Sequence, residues 1–336
     1  MKLSIPEKQN NCINLFKLIA ALQVMLMHAT EHLKIEVYPI VSKISNIFLG
    51  VPIFFTLSGF LIYFSINRTS EKNGYAKYLL KRFLRIYPEM WVAILVEIIL
   101  LCILYDGIVF GDLGLFTITQ STILQFWTPD SLRGYGCGTP NGSLWTISVT
   151  IQFYIIAWFI VKLLKGKRWY TWALAIIGSI VINQLLEFAL DGLGIEILSK
   201  LYHQTIIRYL WLFLLGMGVA EFYDKLIPYL KRLWPLLLAL RIVTLFTGFD
   251  FSVAYEVLSS TLIFLSIIGF TYAFPRLKLK WDISYGIFIY HMTVVNAMIA
   301  LGMTGKPLYL LAAVLISIVI ALISTVTIGK YAATKK

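Results

Sequence analysis

Apolar stretches follow one another along the chain, separated mostly by short polar connectors. A helix rises 1.5 Å per residue, so about 20 largely apolar residues carry it across a hydrocarbon core. Stretches of that kind fall at 13–31, 47–66, 83–105, 145–164, 170–190, 205–223, 233–249, 254–274, 283–303 and 307–329. The pattern predicts an all-α integral membrane protein of about ten transmembrane helices, with 1–336 forming one membrane domain. The first stretch is the least plain, because Asn14 and Lys17 occupy its inner turns, where a lysine can extend its ammonium to the interface. No small-x-small cleavage site follows it before Glu31, so it is expected to be retained.

One connector is out of scale. Residues 106–142 hold seven glycines, two prolines and a half-apolar run at Leu115–Trp127. Unstructured loops of such length are uncommon inside compact domains. The segment reads as a long outer loop that lies on the bilayer or dips into it, over a cavity able to receive an acceptor. No internal repeat is visible, so nothing favours a transporter built from inverted repeats.

Composition agrees with a bilayer as solvent. Hydrophobic residues make up 59% of the chain and charged residues 14%, with a mean hydropathy of +0.80. A soluble surface needs roughly 25% charged residues, so water alone would not hold this chain in solution. The net charge of +12 raises the question of nucleic acid. That reading needs one continuous basic patch, whereas these residues fall in short clusters between apolar runs. With the N-terminus inside, 22 of the 29 lysines and arginines lie on the inner side. They include Lys2, Lys8 and Lys17, Lys72 to Arg85, Lys162 to Arg168, Arg276, Lys278 and Lys280, and Lys330, Lys335 and Lys336. The bias predicts that both termini are cytoplasmic. Cys12, Cys102 and Cys137 show no metal-binding or paired spacing and read as free thiols.

Ionisable groups inside spans are costly and often functional. His28, Glu97, Arg208 and His291 are the candidates. Helical rise puts His28 about 21 Å past Asn14, Glu97 about 18 Å past Arg85 and His291 about 15 Å past Trp281. Gln152, on the descending fourth span, comes to about 18 Å. Four helices thus bring polar groups to one level, as a buried reaction chamber would require. Arg82 and Arg85 stand three apart on one helix face and could grip a phosphate; they could equally be ordinary positive-inside anchors. His28 is a reacting histidine or an interfacial one, with Glu31 and His32 close by in sequence. His291 reads first as a packed, hydrogen-bonded residue, and Glu97 either orients a histidine or pairs with a neighbour. No third ligand has helical spacing, so no metal is expected.

Several segments together resemble the acyltransferase-3 family, membrane proteins that O-acylate surface carbohydrates. Asn14-Leu15-Phe16-Lys17-Leu18-Ile19-Ala20, leading to Val24-Met25-Leu26-Met27-His28, looks like the family's opening helix with its essential histidine. Phe54-Phe55-Thr56-Leu57-Ser58-Gly59-Phe60-Leu61 is similar to the second-helix signature. Arg82-Phe83-Leu84-Arg85-Ile86-Tyr87-Pro88 resembles the Arg-x-x-Arg motif implicated in handling the donor. Asn141-Gly142-Ser143-Leu144-Trp145-Thr146-Ile147-Ser148-Val149 resembles the motif opening the fourth span, and Ser284-Tyr285 through His291 a late signature. The matches keep their order from residue 14 to 291. Two positions depart from the family pattern: Asn14 stands where Asp is frequent, and Thr150 where a Glu usually follows the valine. Glu97 or Gln152 could compensate for the second.

The resemblance implies an O-acyltransferase with acetyl-CoA as donor, a glycan acceptor and no metal. His28 and Glu97 are then the expected catalytic residues, and Arg82, Arg85 and Lys17 the donor-binding ones. Ser58, Trp145, Thr150, Gln152, Arg208 and His291 are expected to line the site. The matched segments include no counterpart of the extracytoplasmic esterase-like domain of some members. Lipopolysaccharide O-antigen, at a bacterial cytoplasmic (inner) membrane, is therefore the expected acceptor. The competing class is a multispan flippase, glycan polymerase or small-solute transporter, which explains the spans but not the ordered motifs.

Overall fold

The structure is a computed structural model and describes residues 12–69, 74–125, 127–247, 252–277, 279 and 281–329. Among these residues every regular element is helical. The helices are α1 (Ile13–His32), α2 (Pro39–Ser45), α3 (Gly50–Asn67), α4 (Gly74–Leu104), α5 (Phe110–Gln120), α6 (Trp145–Leu164) and α7 (Trp169–Leu193). They continue as α8 (Glu196–Tyr202), α9 (Ile206–Glu221), α10 (Tyr223–Phe246), α11 (Ser252–Ala273), α12 (Ser284–Ala300) and α13 (Pro307–Ser324).

Seven of these helical segments are long and apolar enough to cross a membrane, or eight if one bent pair counts as a single span. That pair is Glu196–Glu221 with Tyr223–Phe246, which meet at 102°. Of the ten stretches expected to cross, three fall short when taken singly. α9 has 16 residues and α12 has 17, while α10 contains Pro228, Pro235 and the charges of Asp224, Lys225, Lys231, Arg232 and Arg241. α4 begins at Gly74, nine residues before the apolar stretch, because Tyr78 is fully buried with its ring 5.9 Å from that of Trp158. Packing on one face holds this basic turn helical where hydropathy alone does not mark it.

The long connector is not structureless. It carries α5 and short 3-10 turns at Asp130–Gly134 and Gly142–Leu144. Leu113 and Phe116 of α5 cluster with Leu101, Leu132 and Tyr135. Outward faces are apolar: Leu174, Ile177, Val181, Leu185 and Phe188 are all exposed along α7, at helical spacing. Such a stripe suits lipid rather than water. Of the basic residues behind the expected orientation, Lys2, Lys8, Lys72, Lys278, Lys280, Lys330, Lys335 and Lys336 lie outside the described residues.

The chain forms two compact units. The first comprises the described residues of 12–17, 46–79 and 149–279. Within it α3 and α9 touch backbone to backbone: a Cβ on Gly59 would sit 2.2 Å from the carbonyl oxygen of Phe213, and one on Gly216 2.0 Å from that of Thr56. Only glycine permits that approach. The Arg241 guanidinium, fully buried, donates to the Asn46 carbonyl at 2.6 Å and to the Tyr255 hydroxyl at 3.3 Å.

The second unit comprises the described residues of 18–45, 80–148 and 281–329. Its central element is α12, buried from Gly286 through Asn296 without a break. An all-round apolar helix belongs inside a bundle, which explains why α12 can be short. Gly286 lets it approach α13, since a Cβ there would meet Ala321 at 3.0 Å.

Candidate active site

Three of the segments that carry the family resemblance converge on α12. His28 on α1 presents Nδ1 to Nε2 of His291 at 2.9 Å, with the rings nearly parallel at 13°. His291 in turn places Nδ1 3.1 Å from the carbonyl oxygen of Ile287. The heavy-atom pattern assigns the hydrogens for the neutral pair. A carbonyl only accepts, so His291 carries its hydrogen on Nδ1 and leaves Nε2 as an acceptor. His28 must then donate from Nδ1. Its Nε2 is left with a free lone pair, the atom a general base or nucleophile needs. His28 is half-buried and His291 fully buried.

The segment before α6 is strapped to the same helix. Asn141 donates from Nδ2 to the Ile289 carbonyl at 2.9 Å and to Thr293 Oγ1 at 3.2 Å. Ser143 lies 2.8 Å from Asn141 Oδ1 and 3.1 Å from the Phe288 carbonyl. Asn296 holds the preceding turn from both ends of its amide. Its Oδ1 accepts from the Cys137 backbone N–H at 2.8 Å, and its Nδ2 donates to the Thr139 and Pro140 carbonyls at 3.0 and 2.6 Å. Gly136 has φ +58, and a Cβ there would lie 2.1 Å from Asn296 Oδ1.

The Ser284 end of α12 faces the paired arginines of α4. Arg85 lies 3.7 Å from Asp282, and its side chain stays 45% exposed, so its guanidinium remains accessible. Asp282 also accepts from Ser284 Oγ at 2.5 Å. Tyr285 donates its hydroxyl to the Ile86 carbonyl at 2.9 Å. One turn on, Ser324 of α13 donates to buried Glu89 at 2.8 Å and lies 3.3 Å from the Tyr290 hydroxyl. Arg82 is half-buried.

Glu97 belongs to the same unit, but the ring that orients His28 is His291. The carboxyl of Glu97 is 1% exposed and faces Asn141 and the Tyr135 phenol, yet neither of its oxygens reaches hydrogen-bond geometry. Asn141 has already spent its amide hydrogens on α12. Burial, and behind it Glu97, pushes the Tyr135 phenol up to about 12. A buried polar group without a fixed partner keeps capacity for a substrate atom or a water.

The remaining expected residues have the following surroundings. Trp145 opens α6 and is half-buried. Ser58, Thr150, Gln152, Arg208 and Lys17 belong to the first unit. There Lys17 donates to Asn14 Oδ1 at 3.1 Å, and Gln152 binds the Gln204 carbonyl at 2.9 Å and the Ile206 N–H at 3.1 Å. Arg208 forms an ion pair with Glu187. Asp282, Glu89, Asn296 and Ser324 were not singled out from the sequence. Asp282 carried a signal, an acidic residue two positions before Ser284 at a helix start. Among the described residues no three His, Cys, Asp or Glu side chains are grouped to hold a metal ion.

A family profile described as an acyltransferase domain matches residues 10–326. The chain belongs to the acyltransferase-3 family. This acyltransferase is 28% identical over 328 residues to Nodulation protein 10 of Rhizobium leguminosarum bv. viciae, covering 88% of this chain and 85% of the relative. It is 26% identical over 336 residues to the O-acetyl transferase of Shigella phage Sf6, covering 91% of each. A shorter match, 30% over 116 residues, joins it to Peptidoglycan O-acetyltransferase OatA of Listeria monocytogenes, covering 32% of this chain and 19% of that one. No solved structure matches the acyltransferase.

Proposed function

We propose that this multi-pass acyltransferase moves an acetyl group from cytoplasmic acetyl-CoA to a hydroxyl of a cell-surface or lipid-linked glycan. The proposed setting is a bacterial inner membrane, and the proposed acceptor lipopolysaccharide O-antigen. The observation that carries the reading is the free lone pair at His28 Nε2, fixed by the chain from His28 through His291 to the Ile287 carbonyl. The names of two relatives, an O-acetyl transferase and a peptidoglycan O-acetyltransferase, support acetyl as the group and a glycan as the acceptor class.

In the proposed step, His28 Nε2 takes the hydroxyl proton while the sugar oxygen bonds to the thioester carbon. The C–S bond then breaks, and the imidazolium returns the proton to the departing sulfur. Positioned proton transfer of this kind contributes about 10²–10⁴ in rate, or roughly 3–5.5 kcal/mol. In the two-step form, Nε2 bonds to the thioester carbon as the C–S bond breaks and coenzyme A leaves as thiolate; the sugar oxygen then displaces the imidazole from the acyl carbon, and the hydroxyl proton passes to that thiolate. Arg82 and Arg85 are proposed to hold the donor's phosphates, a task suited to guanidinium forks. Glu97 is proposed as a second acid or base facing the substrate.

The test compares surface glycans by NMR and mass spectrometry from cells with the enzyme, without it, and with His28→Ala. An acyl signal seen only with the intact enzyme supports the reading and identifies the acceptor position. Equal acyl content in all three, with the protein confirmed in the membrane, points to a transport role instead.

A further inference from the structure

Beyond the histidine pair, at the Ala300 end of α12, the second unit contains an open cavity of about 400 Å³. Pockets for small ligands run from about 300 to 1,000 Å³, so this one accommodates a single compact unit, with its open side leaving room for a continuing chain. His32 lines it, one helical turn past His28, and the two rings lie 5.9 Å apart. The cavity therefore adjoins the reacting histidine.

Its chemistry is mixed. Glu31 supplies a carboxylate, Lys34 an ammonium, Thr304 a hydroxyl and Ile299 the one aliphatic wall. Gly136 and Gly302 bring bare backbone to the lining, both at positive φ. The formal charges of Glu31 and Lys34 cancel. A phosphate would find no net positive charge, because Glu31 offsets Lys34, and an acyl chain would find little apolar wall. A sugar ring, whose hydroxyls both donate and accept, matches such alternating donors and acceptors.

The rim is built rather than incidental. The Gly305 N–H donates to the Leu33 carbonyl at 2.8 Å, tying the α12–α13 turn to the end of α1. Asn296 fixes the opposite wall through the Cys137 N–H. Lys34 has φ +56, the only positive φ outside glycine among the described residues. That is a position where helix ends ordinarily take glycine. Retaining a lysine there keeps an ammonium at the cavity mouth against the backbone's preference.

We infer that this cavity is the sugar-binding subsite of the acceptor, with Glu31, His32 and Lys34 contacting the hydroxyls of the unit to be acylated. The inference rests on the reading above only in taking the ligand to be an acyl acceptor.

Cys137 lines the cavity and reports its occupancy. Cys137 is exposed, but desolvation by its surroundings holds its thiol above the ordinary value, so alkylation by N-ethylmaleimide is followed at mildly alkaline pH by peptide mass spectrometry of the purified enzyme. The probe is the oligosaccharide fraction of the producing cell's envelope, stripped of acyl groups by mild alkali. Cys137 alkylation is expected to slow about tenfold when the oligosaccharide stands at ten times its Kd. Lys34→Gly, which relieves the backbone, should abolish the protection without lowering the melting temperature. Unchanged alkylation at saturating oligosaccharide, or equal protection in Lys34→Gly and Glu31→Gln, overturns the inference. Acetyl transfer from acetyl-CoA to the same oligosaccharides is measured in parallel. Transfer without protection sinks the subsite alone, whereas protection without transfer leaves a sugar-binding cavity and sinks the transferase reading on which its acceptor role rests.

Discussion

His28 and His291 stand 263 positions apart in the chain and meet, Nδ1 to Nε2, at 2.9 Å. Their contact makes two different predictions for two similar-looking substitutions. His28→Ala removes the nitrogen proposed to react and should lower kcat by about 10²–10⁴. His291→Ala leaves that nitrogen but releases its tautomer, a loss of about 10–100-fold if it behaves as outer-shell partners of histidines do. Both KM values should change little. Acetyl-transfer kinetics on membranes with matched protein levels check this, and a fully active His291→Ala enzyme would remove the orienting role.

Protonated imidazole has no lone pair at Nε2, so only neutral His28 can act. Activity should therefore be full on the alkaline side and fall tenfold per pH unit below the ionisation of the pair. The residual rate of His28→Ala should lack that acid limb. A pH profile of kcat for the two enzymes is the measurement.

Arg85 separates the anchor and phosphate-binding readings. Its contact with Asp282 is long and its side chain 45% exposed, so the pair itself is worth only about 0–1 kcal/mol. Arg85→Gln should leave the melting temperature nearly unchanged yet raise the donor KM about tenfold or more, the loss of one charge-assisted contact. Asp282→Asn should spare the donor KM. An unchanged donor KM in Arg85→Gln would return this arginine to a plain anchor.

Asn296 uses its whole amide to hold the Gly136–Pro140 turn. Asn296→Asp keeps the acceptor for Cys137 but turns both donors into an oxygen facing two carbonyls. Leaving buried groups unsatisfied costs about 1–3 kcal/mol each. The variant should melt earlier, and Cys137 should alkylate faster than in the native enzyme. Asn296→Asp with native melting and native Cys137 reactivity would contradict the clamp.

In the first unit, Gly216→Ala should be among the worst single-methyl insertions, because the added carbon would meet the Thr56 carbonyl oxygen at 2.0 Å. Overpacking of this kind costs about 1–3 kcal/mol or more. Gly178→Ala, where a Cβ meets nothing within 4 Å, is the matched control. Fluorescence size-exclusion profiles of the two in detergent should diverge, with Gly216→Ala showing loss or aggregation.

Much of this was legible in the sequence because apolar length is a local property. Each expected stretch is mainly helical over its described residues, and the 106–142 connector stands out by length alone. The bend between α9 and α10 was not legible. It rests on Phe222, which leaves helical geometry at ψ 24 although its neighbours are ordinary helix formers. Counting residues placed His28, Glu97 and His291 at similar depth, but depth says nothing about which way a side chain faces. Azimuth decided the partner, and it favoured His291 over Glu97. Asn296 escaped notice because an asparagine at a helix end is common, and its partners lie more than 150 positions away. Three of the motif segments, at His28, Arg82–Pro88 and Asn141–Ser143, make their contacts with α12 or the turn before it.

α12 is also a measuring rod. Its 17 residues extend about 25 Å, from the arginine pair past His291 to the cavity wall at Ile299. One added residue between Ser284 and His291 would lengthen the first interval by about 1.5 Å and turn everything beyond it by about 100°. His291 would swing off His28 while Asn296 let go of its turn. Such a helix can drift by substitution but not by insertion or deletion. Any change that retunes the site must therefore act through side chains and loops, around an unchanged spacing.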